Sequence, residues 1–94
     1  MTKLRPEETD LLGEWEVVGG VVVADATYLR IETLVEQILQ KVAVDKGGWD
    51  TLYRDPEDGR YWELTYPDSS WHGGGPPRLT YLSAEEARAK YQNV

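Results

Sequence analysis

The sequence predicts an α+β fold in which an antiparallel sheet of three to four strands packs against one long helix, with a short helix at the C-terminus. Three observations predict it: one apolar pattern of helical period, several extended segments separated by turn residues, and a helix-capping signal near the end of the chain. The expected order is strand, helix, strand, strand, strand, helix. Residues 1–10 are polar and are expected to be a loose arm, whereas residues 11–94 are expected to form a single domain.

The first predicted strand covers about residues 14–18, where polar and apolar side chains alternate in "GEWEVV". Gly19-Gly20 can adopt the positive φ angles of a tight turn, because glycine has no Cβ. Residues 21–23, all valine, are expected to leave the turn in extended form. This part of the chain therefore contributes the first strand and a turn before the helix.

The long helix is the clearest element of the sequence. Asp25 or Thr27 is the expected N-cap, since both side chains can accept a hydrogen bond from a backbone amide of the first turn. Apolar residues then recur at steps of three and four, which is the pattern of one buried helical face. These residues are Tyr28, Ile31, Leu34, Val35, Ile38, Leu39 and Val42. Gly47-Gly48 lie beyond the expected end of the helix.

A hairpin follows in "WDTLYRDPEDGRYWELTYP". Pro56 sets φ at the first central turn position, and Gly59 can take a left-handed conformation. In the second strand, Trp62 and Leu64 share one side, and Glu63 lies on the other. We expect the Trp62 side to pack against the helix, because an unpaired Glu63 would be costly to bury.

The last predicted strand is "RLTYLS", and "SAEE" after it is a capping box. In such a box the Ser83 side chain accepts from the amide of Glu86, and the Glu86 side chain reaches back to Ser83. A short helix is expected over about residues 84–91, with Ala87 and Tyr91 among its buried residues.

Composition argues against several classes of function. The formal net charge of −7 argues against nucleic-acid binding, which draws on clustered Lys and Arg. With no cysteine and one histidine, no metal site is expected, and no cofactor is expected either. No apolar stretch is long enough for a signal peptide or a membrane helix, so a cytoplasmic protein without membrane contact is expected.

The stretch "SSWHGGGPPRL" at residues 69–79 contains the only histidine of the chain. It does not fit a phosphate-binding loop, because Pro76 and Pro77 donate no amide and a strand is expected to follow. Glycines followed by prolines instead favour a loop that turns sharply and leaves along a stiff path. Two interpretations stay open: the run serves the fold alone, or it also shapes the loop for a partner. The residues concerned are Gly73, Gly74, Gly75, Pro76 and Pro77.

Two long segments carry a more specific pattern. Residues 47–91 contain "GWDTLYRDPEDGRYWELTYP" followed by "HGGGPP", and the earlier "GEWEVVGGVVVADATYLRIETLVE" contains "ADA", Arg30 and "IE". Together they resemble the Immunity protein 27 family of bacterial polymorphic toxin systems. The resemblance implies an immunity protein, which binds the toxic domain of a cognate toxin and neutralises it by protein–protein contact. It implies no catalysis.

The expected partner-binding surface combines the glycine loop with nearby acids. Trp is a frequent hot-spot residue, and an acidic surface suits a basic toxin domain. The candidates are Trp71, His72, Asp55, Glu57, Asp58 and Asp68. Two other functions stay open: a small enzyme that uses His72 with carboxylates such as Glu63 or Asp68, and an assembly module with no inhibitory role.

Overall fold

The computed structural model describes residues 3–67, 75–91 and 94. Within them the chain forms seven strands and two α-helices, and the first helix continues into a π-helical segment, Leu34–Ile38. The strands are β1 (Asp10–Leu12), β2 (Trp15–Val18), β3 (Val21–Ala24), β4 (Gln40–Val44), β5 (Thr51–Arg54), β6 (Tyr61–Thr65) and β7 (Arg78–Leu82). The helices are α1 (Ala26–Thr33) and α2 (Ala84–Lys90).

Five of the strands form one antiparallel sheet in the order β1-β7-β6-β5-β4. Its register places Leu11 opposite Leu79, Leu79 opposite Leu64, and Leu64 opposite Thr51. Within the part of the chain that the structure describes, strands β2 and β3 pair only with each other and form a separate two-stranded ribbon. The ribbon follows β1 in the chain and leads into α1.

The α+β class holds, but the predicted arrangement is wrong. The main sheet has five strands, a second sheet has two, and the helix is short: eight residues of α1 and five of the π-helical segment. The expectation of three to four strands against one long helix missed β1 and β4. Both are edge strands of the sheet, and their pairing partners lie far along the chain or across a turn.

The helix ends earlier than its apolar period predicted. The Leu39 amide donates to the Leu34 carbonyl at 2.8 Å, and Leu39 itself has extended backbone angles. Residues after it pair with β5, with a bulge between Lys41 and Ala43. An apolar residue at Val42 therefore fits a helix and a strand equally well, and the partner strand decides between them. Gly47-Gly48 consequently belong to the β4–β5 turn and not to a helix end.

Each face of the five-stranded sheet is covered by one helix. On the first face, Trp62 and Leu64 pack in one core cluster with Ile31 and Leu34, which confirms that the Trp62 side faces the helix. Ile38 packs against this cluster but is only half-buried. On the opposite face a smaller cluster joins Leu52 to the buried Ala87 and Tyr91 of the C-terminal helix.

Both helices begin at the caps that the sequence indicates. The Asp25 carboxylate accepts from the Tyr28 amide at 2.8 Å, so Asp25 is the N-cap of α1. At α2, the Glu86 amide donates to the Ser83 hydroxyl at 3.1 Å, and the Ser83 amide donates to the Glu86 carboxylate at 2.9 Å. Capping of this kind satisfies amides that have no partner inside the helix.

Residues 3–9 are held against the domain by two arginines. The Arg60 guanidinium donates to the backbone carbonyls of Arg5 and Glu8 at 3.1 and 2.8 Å. The Arg30 guanidinium donates to both carboxylate oxygens of Glu8 at 2.7 Å. Leu4 is buried in the core cluster on the α1 face. The division into an arm, residues 1–10, and a domain, residues 11–94, stays a prediction.

Candidate partner-binding surface

The described candidate residues and the described flanks of the glycine loop lie at opposite ends of the five-stranded sheet. Residues 55–60 connect β5 to β6 at one end, which we call the turn end, next to the Arg54–Tyr61 pair. Tyr66 and residues 75–77 lie next to the Thr65–Arg78 pair at the other end, which we call the loop end. The two ends are four residues apart along β6, which corresponds to a distance of about 13 Å.

The acids of the turn end are already engaged in contacts. Asp55 is 2% exposed, and its carboxylate accepts from the Glu57 amide at 2.9 Å. Glu57 forms an ion pair with Lys3 at 2.8 Å, with both side chains 51% exposed. Asp58 pairs with Arg60 at 2.7 Å. Burial acts to raise the pKa of Asp58, but hydrogen bonds from Arg60 outweigh it and lower the pKa. Asp55 therefore shapes the turn, and Glu57 and Asp58 are the acids that solvent reaches.

An open cavity of about 450 Å³ lies beside this turn. It is lined by Lys3, Leu4 and Pro6 from the N-terminal segment and by the three acids of the turn. The cavity is an open groove of mixed charge, because Lys3 and Arg5 line it together with the three carboxylates. Because the groove is open to solvent, it suits a surface contact better than a buried ligand.

The glycine loop is described only at its exit. Asp68, Trp71, His72, Gly73 and Gly74 lie outside the described residues. The last glycine of the run, Gly75, has a φ of +69°, a left-handed conformation of the kind that the sharp turn expected from the glycines requires.

Pro76 and Pro77 follow Gly75, and their path is anchored to the rest of the fold. Pro77 is buried, and its carbonyl accepts from the Gly13 amide at 2.8 Å. A Cβ at Gly13 would lie 3.0 Å from that carbonyl oxygen and 3.0 Å from the Tyr28 Cα, so only glycine fits there without a shift. The loop exit is thus held at the junction between β1 and β2.

Trp49 is an exposed aromatic residue that the sequence analysis did not select. Its side chain is 73% exposed in the β4–β5 turn, where Gly48 has a φ of +77°. The Trp49 amide donates to the Asp45 carboxylate at 3.0 Å, which holds the turn. This turn lies at the loop end of the sheet, since it joins the paired residues Val44 and Thr51. In the sequence, Trp49 directly follows Gly47-Gly48, and this position in a glycine turn was the pattern that could have indicated an exposed tryptophan.

The β2–β3 ribbon, which follows β1 just after the contact of Gly13 with Pro77, exposes four valines. The exposed fractions are 70% for Val17, 58% for Val18, 60% for Val21 and 57% for Val22. Gly19 and Gly20 between them have φ angles of +58° and +80°, which confirms the tight turn expected from the sequence. Large exposed apolar patches of this kind are typical of interaction surfaces.

Glu63, considered above as a partner of His72, is held in an internal network. Its carboxylate accepts from the Tyr91 hydroxyl at 2.7 Å and pairs with Lys90 at 2.6 Å, and Lys90 also pairs with Asp50 at 2.6 Å. Burial, followed by the hydrogen bond to Glu63, raises the pKa of Tyr91. The network joins α2 to the sheet, which is a structural role.

Among residues 3–67, 75–91 and 94, there is no group of three or more His, Cys, Asp or Glu side chains positioned to hold a metal ion. In the same part of the chain no helix has the length and apolar character needed to cross a bilayer.

Comparison with known proteins identifies a family. The family model of Immunity protein 27 matches residues 17–83, more than half of the 94-residue chain. No curated protein and no solved structure matched the chain. The matched range begins within the valine ribbon, includes four strands of the five-stranded sheet and ends at Ser83, the N-cap of the C-terminal helix, so β1 lies outside it. The family name suggests an immunity protein of toxin systems and a non-enzymatic role. The chain therefore belongs to the Immunity protein 27 family.

Proposed function

We propose that this protein is an immunity protein that acts in the cytoplasm, where it binds the toxin domain of a polymorphic toxin system and neutralises it by direct contact. The observation that carries the proposal is the family match over residues 17–83. Membership in an immunity family implies a toxin partner in general. The engagement of Glu63 with Tyr91 and Lys90 adds support, because it removes one of the carboxylates that a His72-based enzyme would need.

The proposed contact surface lies at the loop end of the sheet. Trp71 and His72 belong to the segment whose described flanks, Tyr66 and Gly75, lie at that end, and Trp49 is exposed there. Gly75 with its positive φ, and the buried Pro77, support a loop of defined shape. A shaped loop loses little conformational entropy on binding, which favours aromatic anchors there.

Acids are proposed to act mainly on the encounter with the toxin domain. The net charge of −7 suits a basic partner, and exposed charges accelerate association more than they hold a complex together. Asp68 adjoins the loop in sequence, whereas Glu57 and Asp58 are at the turn end. Asp55 contributes by holding the shape of that turn, because its carboxylate is buried.

The test uses the toxin domain encoded by the adjoining reading frame, purified together with and apart from this protein. We expect a stoichiometric complex, loss of toxin activity at about one equivalent, and survival of cells that co-express both proteins. Trp71→Ala should weaken the complex by about 2 kcal/mol or more. Full protection at far below one equivalent, lost in His72→Ala with binding unchanged, would instead establish the enzyme.

A further inference from the structure

The β2–β3 ribbon is apolar on both of its faces at the tip. Val17 pairs with Val22 and Val18 pairs with Val21, and adjacent pairs of an antiparallel ribbon point to opposite faces. Each face therefore carries one cross-strand pair of valines, all of them more than half exposed. A flat neighbour would cover only one pair, so complete burial of the four side chains needs a groove that encloses the tip.

The base of the ribbon is fixed although its tip is free. The Trp15 ring lies 5.4 Å from the Tyr28 ring, centroid to centroid. The Asp25 amide donates to the Glu14 carbonyl at 2.9 Å, and the Glu14 amide donates to the Asp25 carboxylate at 3.2 Å. An isolated two-stranded ribbon is marginally stable in water, so this anchoring pre-organises the tip.

Charge around the ribbon indicates what kind of surface covers it. Residues 13–29 contain three acids, Glu14, Glu16 and Asp25, and neither lysine nor arginine. Glu16 is exposed and precedes the first exposed valine, whereas Glu14 and Asp25 flank the base. Two copies of the chain joined through this ribbon would bring like charges together on chains that each carry −7. An apolar groove with a basic rim complements the ribbon instead.

We infer that the β2–β3 ribbon inserts its valine tip into an apolar groove of the toxin domain that is rimmed by lysine or arginine. The inference rests on the proposed function, since the toxin domain is the occupant. It deepens that proposal by adding an apolar anchor on a segment of the chain other than the glycine loop. The tip supplies the buried centre of the contact, and the acids at its base supply the charged rim.

The test measures binding of each variant to the purified toxin domain from the adjoining reading frame. Val17→Thr/Val22→Thr alters one face and Val18→Thr/Val21→Thr the other, while the β-branched shape is kept in each case. Each double variant should bind about tenfold or more weakly, because the added hydroxyls lose their water in the groove. Val42→Thr on β4, at the far edge of the sheet, is the matched control and should bind as wild type does. Thermal melts of all variants check that the fold is intact.

A second pair of variants tests the basic rim. Glu14→Gln/Glu16→Gln should lower the association rate and flatten its dependence on salt, with a smaller effect on dissociation. Light scattering on the free protein checks the alternative occupant, and a dimer lost on Val17→Thr/Val22→Thr would assign the ribbon to self-association and overturn the inference.

The possible failures are distinguishable. If the wild-type protein does not bind the toxin domain, the proposed function is wrong, and the inference is wrong with it. If the wild type binds the toxin domain, and both folded valine variants bind it as tightly as the wild type does, only the inference is wrong. If one face alone is sensitive, the toxin domain packs against the ribbon without enclosing it, and the insertion is refuted.

Discussion

The hydroxyl of Tyr91 donates a hydrogen bond of 2.7 Å to Glu63 Oε2 in the space between α2 and the sheet. Both residues are buried, and Lys90 lies 2.6 Å from the same oxygen. Tyr91→Phe would leave a buried carboxylate with one hydrogen-bond donor fewer. We expect a loss of about 1–3 kcal/mol in the free energy of unfolding. Urea denaturation measures it, and Tyr81→Phe, which removes no such bond to a carboxylate, is the control. Equal midpoints for wild type and Tyr91→Phe would contradict this role.

A fall in pH should weaken the ion pair between Arg30 and Glu8, which holds the N-terminal segment against the domain. Hydrogen bonds from Arg30 lower the pKa of Glu8 from its usual 4.5 to about 2. Between these values the unfolded chain binds more protons than the folded protein, so stability is present above about pH 4.5 and is lost as the pH falls toward 2.

Glu8→Gln should therefore cost about 1–3 kcal/mol at pH 7 and show little difference from wild type near pH 2. Unfolding curves at several pH values measure this difference. Glu7→Gln is the matched control, since Glu7 is exposed and its ion pair with Arg5 is expected to contribute little. A difference between wild type and Glu8→Gln that does not change with pH would refute the assignment.

Ile31 and Ile38 should differ in their contribution to the core. Ile31 is 1% exposed, whereas Ile38 is half-buried at the edge of the same cluster. Ile31→Ala should cost about 2–5 kcal/mol, and Ile38→Ala clearly less, because less apolar surface is lost to a cavity. Denaturation midpoints of the two variants decide this, and the reverse order would show that the helical face is misassigned.

Gly75→Ala should destabilise the free protein. The φ of +69° at Gly75 is a conformation in which a Cβ is strained, and the cost should be about 1–2 kcal/mol. Gly47→Ala in the β4–β5 turn is the control, since the φ of Gly47 lies outside the left-handed region. A Gly75→Ala melting temperature at or above that of the control would rule out a structural need for glycine.

Trp49→Ala should affect binding without affecting stability. The Trp49 side chain is 73% exposed, so its removal should change the free energy of unfolding by less than about 0.5 kcal/mol. If it anchors the toxin domain, dissociation should become faster, with a loss of about 2 kcal/mol or more in binding. Surface plasmon resonance on folded samples measures both rates. Val42→Ala, from the adjacent strand β4, is the control, and unchanged kinetics would exclude Trp49 from the interface.

Much of the local structure follows directly from the sequence. The caps at Asp25 and Ser83, the Gly19-Gly20 turn and the left-handed Gly59 depend on interactions among residues close together in the chain. The family assignment has the same origin, since it follows from the order of residues. Alternation of side chains along β6 likewise predicted that Trp62 would face the helix.

The two edge strands of the sheet, β1 and β4, could not be predicted from local sequence patterns, because each forms only when it pairs with another segment of the chain. Val42 continues the apolar period of the helix, yet β4 pairs with β5. The backbone hydrogen bonds of this pairing outweigh the weak preference of residues 40–44 for a helix. β1 pairs with β7 from the other end of the chain, a contact that no local pattern contains.

The positions of the described candidate residues also depend on how the strands pair. Because β6 runs between the two connections, it separates the acids of residues 55–59 from the described flanks of the glycine loop. The same topology leaves Trp49 and the valine ribbon uncovered. The turns, the caps and the family can be predicted from the order of residues, since they depend on neighbours along the chain. Which surfaces stayed exposed depended on the pairing of distant strands, which only the folded chain establishes.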